Sequence, residues 1–148
     1  MTRKQYRYAF PRPMVSADAV VFTRRHRRLE VLLVKRKNEP FAGCWALPGG
    51  FVEMEETIEE AVRRELEEET GVSQVRLRQF CTFGDPGRDP RGRSITIAYV
   101  GVTDWRRHTP KADDDAAEAA WFPVNDLPQL AFDHNEIIRQ ARRAMKTQ

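Results

Sequence analysis

Apolar positions along the chain fall into short runs toward both ends and into one helical stripe near the middle. Residues 15–22 and 29–34 are rich in valine and leucine and bounded by polar clusters, which predicts the two strands of a hairpin. The segment NEPFAGCWALPGG, residues 38–50, combines turn formers with Trp45 and Leu47 and predicts a short strand closed by a Pro-Gly-Gly bend. Residues 75–83 and 93–102 read as strands, the second alternating Ile95, Ile97 and Tyr99 with Thr96 and Ala98, and the turn-rich GDPGRDPRG joins them. A further strand is expected at 119–122. Ile137, Ile138, Ala141 and Met145 recur at helical spacing and predict a terminal helix over 135–145.

The central stripe belongs to a helix over residues 58–70 that is framed at both ends. Thr57 followed three residues later by Glu60 forms a capping box that satisfies amides at the helix start, and Gly71 can take the left-handed conformation that closes its last carbonyls. Strands on both sides of this helix predict an α/β fold, a mixed β-sheet flanked by helices.

On a helix turning ~100° per residue, Ile58, Val62 and Leu66 line one face with Ala61 at its edge. Glu65 and Glu69 fall within that same arc and Glu68 beside Ala61, so these three carboxylates extend the inward face. Glu59, Glu60 and Glu67 point elsewhere and are explained as surface ion pairs, Glu59 with Arg63, Glu60 with Arg64 and Arg63 with Glu67. Three inward carboxylates without matching cations would take up protons or lower stability. A divalent cation removes the conflict. Hard oxygen ligands suit Mg²⁺, with Mn²⁺ a possible substitute, whereas zinc would favour histidine or cysteine.

Composition narrows the setting. At 148 residues the chain fits one domain, residues 1–148, and its 41% hydrophobic and 32% charged residues exclude a disordered chain and a membrane span. The basic start, MTRKQYRYAF, lacks the apolar core of a signal peptide, so a cytoplasmic location is expected, with Cys44 and Cys81 as free thiols. The net charge of +3 is a mild bias. The basic run TRRHRR, residues 23–28, reads as a solvated hairpin tip, and no nucleic-acid or membrane partner is expected. His26, His108 and His134 are isolated, and none is assigned to catalysis.

Gly50, five residues, Glu56, seven residues, then Arg64-Glu65-Leu66-Glu67-Glu68-Glu69-Thr70-Gly71-Val72 resembles the signature of the Nudix hydrolase family at every defined position. The resemblance implies an α/β/α sandwich that hydrolyses a nucleoside diphosphate linked to another moiety, using Mg²⁺. It implies that Glu65, Glu68 and Glu69 hold metal, with the Gly49 carbonyl as a further ligand, and that Glu56 orients the site by pairing with Arg64. A glutamate beyond the box takes the proton in many members. Glu118 matches that position, although it adjoins Asp113, Asp114 and Asp115; Glu53 and Glu55 are alternatives.

Outside the box, YAFPRPMVSADAVVF, GDPGRDPRGRSITIAYV and WFPVNDLPQLAFDHNEII resemble the ADP-ribose pyrophosphatase branch, whose members release AMP and ribose 5-phosphate, commonly as homodimers. Arg36 and Arg91 or Arg93 are candidates to grip phosphates with paired donors. Phe41, Trp45 and Phe83 could stack a base, against the commoner use of such rings in a core; Phe41 is taken as the binding candidate. Two rival readings remain: cleavage of a nucleoside triphosphate, and ligand sensing as in regulators that share the PRP and AFDH segments. The second is disfavoured because the box keeps its carboxylates and the chain ends soon after its terminal helix.

Overall fold

The computed structural model describes residues 4–110 and 118–146. The hairpin forms as β1 (Met14–Arg25) and β2 (Arg28–Lys35), longer than the apolar runs that predict it. His26 and Arg27, at φ 53° and 64°, make the two-residue turn between them, a left-handed pair whose twist suits adjoining strands. Next come β3 (Trp45–Ala46), β4 (Gly49–Phe51), α1 (Ile58–Thr70), β5 (Arg78–Phe83), β6 (Ser94–Val102), β7 (Ala119–Pro123) and α2 (His134–Lys146). The expected strand over 75–83 begins only at Arg78. Val75 and Leu77 are instead buried in the core beneath the link from α1.

All seven strands join one mixed sheet. β1 runs parallel to β6 from Met14 opposite Ser94 to Phe22 opposite Val102, and β5 pairs antiparallel on the outer side of β6. Beyond Phe22–Arg25 the hairpin opens, and the segment from Trp45 to Phe51 sits between its arms. Ala46 pairs with Val34 of β2, Gly49–Phe51 pairs with residues 16–18 of β1, and the Ala19 amide donates to the Pro48 carbonyl at 2.8 Å.

Strand alternation builds a core on each face. Ala17, Ala19, Val21, Ile97 and Tyr99 meet Val62 and Leu66 of α1, while Val20, Phe22, Ala98 and Val100 meet Ile137, Ile138 and Ala141 of α2. The result is the expected sheet flanked by helices. Among the described residues no helix is long and apolar enough to cross a membrane.

Candidate functional site

Helix α1 forms over the predicted span. Thr57 Oγ1 accepts the Glu60 amide at 3.1 Å, and Gly71, at φ 77°, donates its amide to the Glu67 carbonyl. Val62 and Leu66 anchor it to the sheet, which fixes the rotation of the glutamates between them. Glu65 and Glu69 come to rest half-buried against the bend between β3 and β4. Glu68 does not turn inward: its side chain is 60% exposed, correcting the expected placement beside Ala61. Glu68 lies past the edge of the stripe along which Val62 and Leu66 seat α1 on the sheet, so its carboxylate stays in solvent.

Strand β4, which stands where the sequence predicts a Pro-Gly-Gly bend, lies close against β1 and α1. A Cβ on Gly50 would stand 2.5 Å from Glu65 Oε1, and one on Gly49 would collide with Asp18 Oδ1 and the Ala17 carbonyl. Gly49 must stay glycine because its Cβ would meet the backbone of β1, whereas at Gly50 the flexible end of Glu65 would have to give way. The Gly49 amide donates to Glu69 Oε1 at 2.8 Å. Burial, opposed by that hydrogen bond, still pushes the Glu69 carboxyl up to about 8, and burial also raises that of Glu65.

Arg64 is the cation that organises this acidic floor. It makes a two-point pair with Glu56 at 2.6 and 2.9 Å, reaches Glu65 at 2.8 Å and touches Glu68 at 3.3 Å. Its hydrogen bonds hold the Glu56 carboxyl down at about 2. The expected surface pairing therefore holds only in part. Glu59 meets Arg63 at 3.2 Å, but Arg64 turns to the site instead of Glu60, and Arg63 gives its other nitrogen to the Val75 carbonyl instead of Glu67. A site offering several carboxylates outcompetes one exposed partner.

These groups floor a cleft of about 450 Å³. Its walls include Gly49, Gly50, Glu65, Glu69, Arg36 and Arg91, so the structure brings these sequence candidates together. Arg36 donates to the Pro40 carbonyl at 2.8 Å and lies over the Phe132 ring at 5.0 Å. Arg91 pairs with Asp89 at 2.8 Å and lies over both Phe51 and Phe132. Phe41 is not among the cleft-lining residues; it is partly exposed and edge-on to Phe132, which is, at 4.9 Å. Arg93 is exposed and bonded to the Gly84 carbonyl, and Glu118 is exposed with its carbonyl accepting from the Lys35 amide; neither lines the cleft. Glu53 and Glu55 are exposed too. Asp113, Asp114 and Asp115 lie outside the described residues.

Several cleft residues escaped sequence reasoning. Asp18, 6% exposed, is the lone carboxylate in an apolar strand and accepts from Thr96 Oγ1 at 2.6 Å, a signal legible in VSADAVVF. His134, set aside as isolated, is buried in the cleft wall, where its Nδ1 accepts the Leu47 amide at 3.0 Å. That bond places the ring proton on Nε2, and burial lowers the tendency of the ring to take a second one. Arg88 is clamped to Asp133 at 2.7 and 2.9 Å. Phe132, at φ 51°, is a bulky residue in the left-handed region, a strain that its contacts with Phe41, Arg36 and Arg91 hold in place.

Comparison with known proteins points one way. The model of the NUDIX domain matches residues 12–141. The chain is 46% identical over 140 residues to an ADP-ribose pyrophosphatase of Methanocaldococcus jannaschii, covering 95% of this chain and 79% of that protein. It is 32% identical over 136 residues to an ADPR responsive transcriptional repressor of Acinetobacter baylyi, covering 89% of this chain and about half (54%) of the repressor. Among solved structures, the NUDIX domain of Shewanella oneidensis NrtR complexed with ADP ribose superposes with a TM-score of 0.86 at 38% identity, covering 93% of this chain and 91% of that one.

Proposed function

Since the chain belongs to the NUDIX domain family and is a Nudix hydrolase, we propose that it hydrolyses the pyrophosphate of ADP-ribose to AMP and ribose 5-phosphate. The observation that carries this reading is the cleft itself: an acidic floor of Glu65, Glu69 and Asp18 beneath a rim of Arg36 and Arg91. A diphosphate has anionic oxygens for the rim, and its flanking sugars and base can pack on Phe51, Phe132 and Phe41. The pyrophosphatase and the ADP ribose complex among the similar proteins support the choice of substrate.

The floor fits a divalent cation, Mg²⁺ with Mn²⁺ as substitute. Burial first, and then repulsion from Glu65 and Asp18, raise the Glu69 carboxyl to about 8, so its ionised form gains from a cation placed beside it. Among the described residues no group of three His, Cys, Asp or Glu side chains could hold an ion unaided. Mg²⁺ commonly keeps waters and takes substrate phosphate oxygens beside one or two carboxylates, so this donor set is sufficient. Glu65, Glu69 and the Gly49 carbonyl would hold it, with exposed Glu68, now in contact with Arg64, as a further ligand. When bound, such an ion neutralises phosphate charge, acidifies an attacking water and steadies the leaving group.

The chain's own residues do the rest. Arg64, paired with Glu56, fixes Glu65, and Arg36 and Arg91 orient the diphosphate; Glu118, outside the cleft lining, would take the proton from water only on moving toward the cleft, with Glu53 and Glu55 as alternatives. The exposed Tyr6, Tyr8 and Phe10 of the N-terminal arm suit a homodimer that covers them, and the free Cys44 and Cys81 thiols suit the cytoplasm. Incubation with ADP-ribose and Mg²⁺, with products separated by chromatography, tests the reading. AMP and ribose 5-phosphate are expected. Release of inorganic pyrophosphate from nucleoside triphosphates, with ADP-ribose left intact, would replace the substrate, and tight ADP-ribose binding without turnover would make the chain a sensor.

A further inference from the structure

The sheet has a second end, and it is strongly basic. The cleft takes Ser16 and Asp18 from the start of β1, whereas Thr23 and Arg24, near its finish, line a separate groove of about 600 Å³. Asp18 and Arg24 are six extended residues apart, about 20 Å.

Segments distant in sequence converge there. The hairpin supplies Arg24, the link after α1 supplies Arg76, and a single 3-10 turn following β6, Trp105–Arg107, supplies Arg106 and Arg107. The turn is fixed to β1 by a hydrogen bond of 3.0 Å from the Trp105 amide to Thr23 Oγ1. Among the described residues lining the groove the only carboxylate is Asp104, and Arg106 occupies it through a two-point pair at 2.9 and 3.0 Å. The guanidinium groups of Arg24, Arg76 and Arg107 have no hydrogen bond or ion pair among the described residues. Leu29, Met145 and the half-exposed Val102 add apolar surface between them.

We propose that this groove is a second binding site, one that takes the phosphate groups of a nucleotide. Guanidinium forks match phosphate oxygens with paired donors, and apolar lining offers a surface for the attached base or sugar. The volume lies within the range of about 300–1,000 Å³ typical of small-molecule sites. The groove is open at the surface, so the same phosphate chemistry is met by a free nucleotide or by one residue of a single strand. The site stands apart from the hydrolytic cleft, and the proposal does not rest on the reading of that cleft.

The test uses the full chain in EDTA, with a fluorescein-labelled single-stranded RNA octamer followed by anisotropy and with AMP as competitor. Wild type is expected to bind the octamer with an affinity that falls steeply with salt. Arg76→Glu with Arg107→Glu should weaken binding by at least about tenfold, while ADP-ribose hydrolysis in Mg²⁺ stays within about twofold of wild type. Lys4→Glu with Arg7→Glu on the exposed N-terminal arm changes the net charge equally and should leave binding within about twofold. Displacement by AMP identifies a free nucleotide as the ligand, and persistence of the complex identifies the strand. Equal weakening by both double variants, or no binding by wild type at low salt, overturns the proposal.

Discussion

The two ends of the sheet treat charge in opposite ways. In and around the cleft many charged groups have a fixed partner: Arg64 in Glu56 and Glu65, Arg88 in Asp133, Arg91 in Asp89, Glu69 in the Gly49 amide. In the groove Arg24, Arg76 and Arg107 have no such partner among the described residues. Fixed dipoles and charges can favour one arrangement of reacting atoms over another. Long, solvated side chains cannot, and offer attraction that salt screens. Chemistry belongs at the first end and adhesion at the second.

Breaking the cleft at the carboxylate that burial raises furthest should have the largest effect. Glu69→Gln keeps the volume and an acceptor for the Gly49 amide but removes the charge a cation needs, and turnover of ADP-ribose should fall about a thousandfold. Circular dichroism should show an intact helix. Near-normal turnover would remove the acidic floor from the mechanism.

A smaller loss is expected from displacing a held group without discharging it. In Gly50→Ala the new methyl would stand 2.5 Å from Glu65 Oε1, so the carboxylate or the bend must move. Misplacement on the order of 1 Å should reduce kcat about a hundredfold. Unchanged kcat would mean that the tight approach of bend and helix matters only to folding.

The smallest effect sharpens the contrast through pH. Burial raises the Glu69 carboxyl from 4.5 to about 8, so the folded chain retains a proton that the unfolded chain has already released. This contribution to metal-free stability is fully present below about pH 4.5 and is lost as pH rises through about 8. Melting in EDTA at pH 5.5 and 8.5 should show Tm falling in wild type and changing less in Glu69→Gln. Parallel behaviour of the two proteins would assign the slope elsewhere.

The helix at the centre of the site was legible because its determinants are local. Thr57, Glu60 and Gly71 lie within one turn of its ends, and the spacing of Val62 and Leu66 selects the face that packs. The same spacing correctly turned Glu65 and Glu69 inward, since both lie along the anchored stripe. It failed for Glu68, whose direction depends on where the sheet ends beneath the helix. His134 and Phe132 were invisible to it because each is defined by a partner far along the chain, Leu47 and Arg36, while Asp18 stands out as a lone carboxylate in an apolar strand and only its partner Thr96 is hidden.

By itself, then, the order of residues determined the strands, the framed helix and the glycine pair, because periodicity, capping and backbone freedom act over a few neighbours. Only the tertiary structure decided that Arg64 serves the site instead of Glu60, that a lone histidine joins the cleft wall, and that arginines from the hairpin, the link after α1 and the turn after β6 meet in one groove. The physical reason is distance: burial and electrostatic pairing depend on proximity in space, which the packed sheet creates between residues that the chain keeps apart.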